Sequence, residues 1–113
     1  MKLIIAIVQP HKLDTVLDSL YKAKINLVTI TEVMGHGLQK GVPEVYRGVI
    51  ESNDIQRKVR LDIAINDDYV DAAISAIIQG GKTGEIGDGK IFVLNLENCV
   101  RIRTGEKGLE AIG

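Results

Sequence analysis

Two segments with the periodicity of a helix, each preceded and followed by strand-like segments, restrict this chain to few folds. The first predicted helix opens after Pro10, a residue that suits the first turn of a helix. Its apolar residues recur at helical spacing and are Leu13, Val16, Leu17, Leu20 and Tyr21. The second predicted helix has Asp67 as its expected N-cap and ends at Gly80 and Gly81. Its apolar stripe consists of Val70, Ala73, Ile74, Ile77 and Ile78.

Four strand-like segments enclose these helices. Residues 3–8 are an apolar run rich in Ile, residues 27–33 alternate Val and Ile with Thr, and residues 91–96 are again mostly apolar. Residues 58–65 alternate strictly between large apolar side chains and charged or small ones, as a strand with one buried face does. A shorter extended piece is expected at residues 100–103. The order strand, helix, strand, long loop, strand, helix, strand predicts an α+β fold of the ferredoxin-like type, a doubled βαβ unit.

The predicted sheet has more apolar surface than two helices can cover. Both helices must lie on one face, yet the first and last strands are apolar on both faces. An oligomer that buries the second face resolves this conflict.

Residues 34–57 separate the second and third predicted strands and show no regular periodicity, because glycines and Pro43 interrupt them. A loop of this length in a small domain is usually functional, so we expect an effector loop here. The tail, residues 104–113, is polar and is expected to be loosely held.

Length and composition set broad limits. A chain of 113 residues forms one domain, residues 1–113. A net charge of −1 gives no general attraction to nucleic acid or to anionic membranes. The single cysteine, Cys99, cannot form an intrachain disulfide, and no apolar run approaches the length of a membrane span. We therefore expect a cytoplasmic protein without stable membrane insertion.

The link between the second helix and the last strand is rich in glycine. Residues 83–96 read Thr-Gly-Glu-Ile-Gly-Asp-Gly-Lys-Ile-Phe-Val-Leu-Asn-Leu. Glycines let peptide N–H groups approach an anion, and Lys90 adds a positive charge, so the stretch predicts a phosphate site. Gly84-x4-Gly89-Lys90 has the spacing of a P-loop, but Ile91 replaces the required Ser or Thr. Because the order of helix, loop and strand is also reversed, a P-loop NTPase is excluded.

Two further features bear on this site. Gly35-His36-Gly37 lacks the spacing and the following helix of a dinucleotide-binding motif. Arg101 and Arg103 stand two residues apart, so in an extended segment both point to one face, where guanidinium groups suit a phosphate. Two solvated arginines at a sheet edge are the alternative interpretation.

These segments together resemble the PII nitrogen-regulatory proteins over essentially the whole chain. Residues 83–96 match the C-terminal signature of that family at every specified position. Further segments resemble the family at the expected spacings, namely residues 30–33, 35–41, 44–48 and 101–106. The resemblance implies a compact homotrimer with a nucleotide in each cleft between subunits. It also implies a regulator, not an enzyme, that binds ATP or ADP competitively, binds 2-oxoglutarate together with Mg-ATP, and contacts target proteins through a T-loop, residues 34–57.

The resemblance also assigns residues by matching position. The implied nucleotide-binding residues are Thr29, Gly35, Gly37, Leu38, Ala64, Gly87, Asp88, Gly89, Lys90, Arg101 and Arg103, the two arginines reaching across from the neighbouring subunit. The implied 2-oxoglutarate-binding residues are Gln39, Lys40, Gly41, Lys58 and Gly87. The amide oxygen of Gln39 is the implied protein ligand of Mg²⁺, and Lys58 pairs with the distal carboxylate. Arg47 matches the loop arginine that enters the pore of the ammonium channel, which is therefore an expected partner.

The chain departs from the family pattern around these positions. Glu51 stands where many members carry a tyrosine that is uridylylated, so we expect no such modification. Leu38 replaces an arginine, Gln9 replaces a lysine or arginine, and His36 replaces a phenylalanine. The loss of two cations is expected to weaken anion binding. The alternative function is accordingly an adenylate-only sensor that regulates an enzyme or a transporter other than the ammonium channel.

Two functions of other classes were weighed against regulation. A nucleotide-processing enzyme needs a nucleophile or base near the phosphates, and neither His11 nor His36 has an evident carboxylate partner in the sequence. An RNA-binding sheet needs aromatic residues for base stacking, and Phe92 alone does not supply them in a chain with 4% aromatic residues. The sequence therefore favours a regulator.

Overall fold

The computed structural model of the chain describes residues 1–37 and 55–113, and the backbone of the strand residues 45–46 and 49–50. Its strands are β1 (Lys2–Val8), β2 (Thr29–His36), β3 (Val45–Tyr46), β4 (Val49–Ile50), β5 (Ile55–Ile65) and β6 (Lys90–Asn95). Its helices are α1 (Leu13–Lys22), α2 (Val70–Gly81) and α3 (Leu109–Ile112). Single 3₁₀ turns, Pro10–Lys12 and Asp67–Tyr69, lead into α1 and α2.

The four long strands form one antiparallel sheet in the order β2-β5-β1-β6, and β3 pairs separately with β4. With a helix after β1 and another after β5, this is the ferredoxin-like α+β arrangement that the order of elements predicted. Among the described residues, no helix is both long enough and apolar enough to cross a membrane.

The core lies between the sheet and helices α1 and α2. In β5 the predicted alternation is confirmed, because its buried residues are every second one from Val59 to Ile65. The register places Ile4 opposite Ile63 and Ala6 opposite Leu61, so β1 and β5 present one apolar face to the helices. The helices complete this core with Val16, Leu20, Ala73, Ala76 and Ile77.

Helices α1 and α2 approach each other closely at Gly80. The Thr15 hydroxyl of α1 donates a hydrogen bond to the Gly80 carbonyl of α2 at 2.7 Å. A Cβ on Gly80 would lie 2.7 Å from both the Thr15 carbonyl oxygen and the Val16 Cα. The glycine that was predicted to end the second helix therefore also permits helix packing.

The opposite face of the sheet carries apolar residues that are exposed in the described part of the chain. Phe92 stands opposite Ile5 and Leu94 opposite Leu3, on the face turned away from the core. Phe92 is 48% exposed and Leu94 is 45% exposed. The prediction that β1 and β6 are apolar on both faces is thus confirmed.

The strands around the predicted effector loop differ from the sequence prediction. β2 begins at Thr29 instead of residue 27 and continues to His36, and β5 begins at Ile55 instead of residue 58. Gly35 pairs with Gln56 inside the sheet, so the prediction that this glycine breaks regular structure is wrong. The reason is that the ladder with β5 continues beyond this glycine, to the pair of His36 with Ile55. Two short strands, β3 and β4, also lie within the segment that was predicted to lack regular structure.

Asp67 does not cap the second helix. Its carboxylate instead pairs with the α-amino group of Met1 at 3.0 Å. The chain enters α2 through the 3₁₀ turn, and the cap residue, Tyr69, makes no side-chain capping hydrogen bond. The predicted cap failed because Asp67 is the first residue of the 3₁₀ turn, and α2 begins only at Val70.

The C-terminal segment is also different from the prediction. Residues 102–104 form a turn, closed by a hydrogen bond from the Gly105 amide to the Arg101 carbonyl at 2.8 Å. The predicted extended piece at residues 100–103 is therefore wrong, and so is the inference that Arg101 and Arg103 share a strand face. The tail is held by a bridge between Val100 and Lys107 and by helix α3.

We expect Gly80→Ala to lower the free energy of unfolding by about 1–3 kcal/mol, because the added methyl group must push two helix backbones apart. Thermal or urea unfolding at one fixed protein concentration measures the change. Gln79→Ala, at the exposed neighbouring position, is the control and should stay within about 0.5 kcal/mol of wild type. An unchanged midpoint for Gly80→Ala would contradict the close helix contact.

Candidate anion-binding site

A cavity of about 410 Å³ opens beside the glycine-rich loop, residues 82–89, at one end of the sheet. Its lining comes from β1, the end of β2, the beginning of β5 and the loop, and consists of Ile7, Gly35, His36, Gly37, Gln56, Lys58, Glu85, Gly87, Asp88, Gly89 and Lys90. Residues that the family resemblance assigned to nucleotide and to 2-oxoglutarate thus meet in one cavity. Four of the lining residues were not among the assigned site residues, namely Ile7, His36, Gln56 and Glu85. Gln56 could have been found only from strand register, because it is cross-strand from Gly35.

Lys58 connects β5 to the glycine-rich loop. Its ammonium group donates a hydrogen bond to the Gly87 carbonyl at 2.8 Å. The aliphatic part of the side chain runs beside Gly35, where a Cβ would lie 3.5 Å from the Lys58 Cγ. Lys58 therefore lines the cavity, and its hydrogen bond joins β5 to the loop.

The side chain of Asp88 is turned back into its own loop. Its Oδ2 accepts hydrogen bonds from the amides of Thr83 at 2.9 Å and Gly84 at 3.0 Å. Its Oδ1 accepts a short hydrogen bond from the Thr83 hydroxyl. The Thr83 hydroxyl oxygen accepts one from the Glu85 amide at 3.1 Å. The successive amides at the start of the loop do form an anion nest, and the anion they bind is a carboxylate of the same chain.

The electrostatic consequence is a depressed pKa for the Asp88 carboxyl. The Thr83 hydroxyl contributes most, followed by the Thr83 amide, while the Gly84 amide and the charge of Lys12 contribute less. Asp88 is therefore ionised in the folded protein at any pH above the ordinary range of an aspartate.

Gly89 packs its backbone directly on β1. A Cβ at this position would lie 1.7 Å from the Ile7 carbonyl oxygen, and the φ of Gly89 is +96°. Gly87 has a φ of +106°. Only glycine adopts such backbone angles without strain, and only glycine leaves room for the Ile7 carbonyl.

Four predicted nucleotide residues in the described part of the chain do not line this cavity, namely Thr29, Ala64, Arg101 and Arg103. Ala64 lies six residues from Lys58 along β5, which is roughly 20 Å at the rise of a strand. Thr29 stands opposite Asp62, four residues from Lys58. Arg101 follows the end of β6, where Asn95 pairs with Lys2 at the far end of β1. A single chain therefore holds the predicted residues in two separate groups.

The side chain of Arg101 binds the C-terminal segment. Its guanidinium pairs with the Glu106 carboxylate at 3.0 Å and donates to the Glu110 carbonyl at 3.1 Å. The side chain of Arg103 is exposed.

Several predicted site residues lie outside the described part of the chain. They are Leu38, Gln39, Lys40, Gly41 and Arg47, and with them the predicted Mg²⁺ ligand and the predicted partner contact. Among the residues that the structure describes, no group of three or more His, Cys, Asp and Glu side chains is placed to hold a metal ion.

Comparison with known proteins decides the family. The family model for nitrogen regulatory protein P-II matches residues 1–106. The chain belongs to the P-II family. It is 51% identical over 112 residues to the nitrogen regulatory protein P-II of Bradyrhizobium diazoefficiens. That alignment covers 99% of this chain and 100% of that relative. With the same coverage, it is 50% identical to the proteins of that name from Haemophilus influenzae and Azospirillum brasilense.

A solved structure agrees with this assignment. The crystal structure of Arabidopsis thaliana PII bound to citrate superposes with a TM-score of 0.79 at 36% sequence identity, covering 97% of this chain and 87% of that one. The predicted family and the predicted fold class are both confirmed, and P-II proteins are by name regulators of nitrogen metabolism.

Alanine substitutions at two loop glycines should separate backbone strain from steric contact. Gly84 and Gly89 both have positive φ, but a Cβ on Gly84 would meet no atom within 4 Å. We expect Gly84→Ala to cost roughly 1–2 kcal/mol of unfolding free energy, the cost of a left-handed conformation. Gly89→Ala should cost clearly more, because the Ile7 carbonyl must also move. Chemical denaturation of both variants measures the difference, and equal losses would contradict the contact.

Proposed function

We propose that this P-II protein reports nitrogen, carbon and energy status by binding ATP or ADP, and 2-oxoglutarate together with Mg-ATP. It then regulates target proteins through the effector loop, residues 34–57. The observation that carries this proposal is the cavity in which Lys58 and Lys90 meet the glycine-rich loop, immediately beside the point where β2 leads into the effector loop.

The chemistry of this cavity suits phosphate. Lys58 and Lys90 supply two ammonium groups, and glycines at positions 87 and 89 let an anion approach the backbone. The carboxylate of Asp88 faces Thr83 and Gly84, so its charge is bound by hydrogen bonds within the loop. Among the described lining residues, an anionic ligand then meets the two ammonium groups and one further carboxylate, that of Glu85.

The proposed 2-oxoglutarate site uses the same cavity. Magnesium prefers six oxygen ligands and takes most of them from phosphates, so one amide oxygen from Gln39, three phosphate oxygens and two oxygens of the 2-oxo acid complete an octahedron. Lys58 would release the Gly87 carbonyl to pair with the distal carboxylate. The Arabidopsis thaliana PII was crystallised with citrate, also a polycarboxylate, which supports a carboxylate ligand for this fold.

A homotrimer would unite the two groups of predicted nucleotide residues. Thr29, Ala64, Arg101 and Arg103 lie away from the loop cavity within one chain, so they can serve the same nucleotide only from a neighbouring subunit. The uncovered apolar face around Phe92 and Leu94 supplies a surface for that association. We therefore propose that the clefts between three subunits are the nucleotide sites.

Ligand binding would reach the effector loop through the two strands that border it. The last pairs of β2 and β5 are Gly35 with Gln56 and His36 with Ile55, and Gly35, His36 and Gln56 line the cavity. A ligand that engages Lys58 and Gln39 together restricts both ends of the loop, whereas ADP lacks the same metal site. We propose the ammonium channel, through Arg47, as the first partner to test, and a cytoplasmic, non-enzymatic role.

Calorimetric titration tests the ligands. ATP and ADP should give saturable heats and AMP a much weaker one, and 2-oxoglutarate should give heat only when Mg-ATP is present. Lys58→Met should lose the heat of 2-oxoglutarate because the cation for the distal carboxylate is gone. Lys22→Met, which removes an exposed ammonium of α1, is the control and should match wild type.

The same titration decides between the two functions. The adenylate-only sensor is favoured by the substitutions Leu38, Gln9 and His36 and by the engagement of Lys58 with Gly87. If 2-oxoglutarate gives no heat with saturating Mg-ATP, the adenylate-only sensor replaces the proposed sensor of carbon status. If neither ATP nor ADP binds, the proposed function fails altogether.

The trimer is tested by sedimentation. Wild type should sediment as a trimer, and Phe92→Asp should shift the population towards monomer, because it places a charge in the apolar sheet face. Tyr21→Asp changes an aromatic residue of α1 that is more exposed than Phe92, and this variant should remain trimeric. A wild-type monomer, or a Phe92→Asp trimer as stable as wild type, would contradict the proposal.

A further inference from the structure

We propose that Asp88 and Thr83 form a positioning clamp, in which the Asp88 carboxylate acts as an internal anion that shapes the loop without contacting the bound phosphates. This inference rests on the proposed nucleotide binding and changes the role that the family resemblance implied for Asp88. It assigns Thr83, which no family position implied as a site residue, to the binding machinery.

The clamp closes a six-residue segment, from Thr83 to Asp88. One carboxylate receives three donors, namely the amides of Thr83 and Gly84 and the Thr83 hydroxyl. The same hydroxyl oxygen accepts from the Glu85 amide. The amides of Thr83, Gly84 and Glu85 are therefore all occupied by Asp88 or Thr83. An external anion must use the later part of the loop together with Lys58 and Lys90.

The position of the clamp explains why it matters for binding. Asp88 lies between Gly87, whose carbonyl receives the Lys58 hydrogen bond, and Gly89, whose backbone lies against the Ile7 carbonyl. The clamp thus anchors the residue between two fixed points. A free carboxylate at this place would repel a phosphate, whereas the hydrogen bonds from two amides and a hydroxyl compensate the charge of Asp88 within the loop.

The clamp has a signature that does not depend on nucleotide. Because the hydrogen bonds lower the pKa of Asp88, the clamp is complete above the ordinary aspartate range and is lost as the pH falls through the folded-state pKa. The charged groups on the neighbouring elements are Lys12 before α1, Lys82 and Glu85 on the loop, and Lys58 and Lys90 in the cavity. The amide proton resonances of Thr83 and Gly84 should titrate together with the Asp88 carboxyl.

Five variants test the clamp by calorimetry with ATP and ADP, and the fifth, Asp88→Asn, removes the charge of the carboxylate but keeps its size. Asp88→Ala should weaken ATP binding about tenfold or more, the loss expected from removing charge-assisted hydrogen bonds. Thr83→Val should also weaken it, and Thr83→Ser, which keeps the hydroxyl, should restore wild-type affinity. The double variant Asp88→Ala with Thr83→Val should be no weaker than Asp88→Ala alone, because both substitutions break the same unit. Asp68→Asn, which removes an exposed carboxylate elsewhere, is the charge control and should bind as wild type does.

The outcomes separate the clamp from other roles of Asp88. If Asp88 contacted phosphate or metal directly, Thr83→Val would bind ATP normally and the clamp would be refuted. If Asp88→Asn bound ATP more tightly than wild type, the carboxylate would face the ligand, which also overturns the proposal. If the amides of Thr83 and Gly84 do not titrate with Asp88, the clamp does not exist, whatever the affinities. If the amides titrate with Asp88 but wild type binds neither nucleotide, the clamp exists only as a structural feature of the loop. The proposed function and the positioning role of Asp88 are then both refuted.

Discussion

The central strand β1 is the constraint on which the rest of the molecule depends. It is hydrogen-bonded to β5 on one side and to β6 on the other, and its residues Ile4, Ala6 and Val8 are buried against the helices. The backbone of Gly89 also packs against the Ile7 carbonyl. This contact with β1 determines where the glycine-rich loop ends and where β6 begins. The positions of the core, the sheet and the loop therefore all depend on β1, and the cavity forms at the end of this strand.

The loop owes its shape to three different anchors on consecutive residues. Gly87 is held through its carbonyl by Lys58, Asp88 through its side chain by Thr83 and Gly84, and Gly89 through contact with Ile7. One anchor comes from β5, one from the loop itself and one from β1. Since β5 also leads out of the effector loop, the Lys58 anchor links the two segments through which P-II regulation is proposed to act.

Local patterns predicted the elements well where burial on one face enforces a period. The alternation of β5 became a buried face, and most residues of the apolar stripes of α1 and α2 pack against the same core. Tyr21 and Ile78 were also predicted in those stripes, but both are exposed. Predictions failed where a distant group decided the outcome. Asp67 forms an ion pair with the α-amino group of Met1 and does not cap a helix. Arg101 forms an ion pair with Glu106 and does not share a strand face with Arg103. Gly35 stayed in a strand because pairing with β5 outweighed its flexibility.

The family, the ferredoxin-like order of elements and the glycine-rich loop before β6 were all predictable from the sequence alone, because each depends on residue type and spacing. The sequence also indicated that the loop binds an anion. Only the tertiary structure decided which anion occupies the first amides of that loop, namely the carboxylate of Asp88, and that Lys58 reaches the Gly87 carbonyl. Such contacts depend on where backbone turns place side chains within a few ångströms, and residue spacing along the chain does not specify that distance.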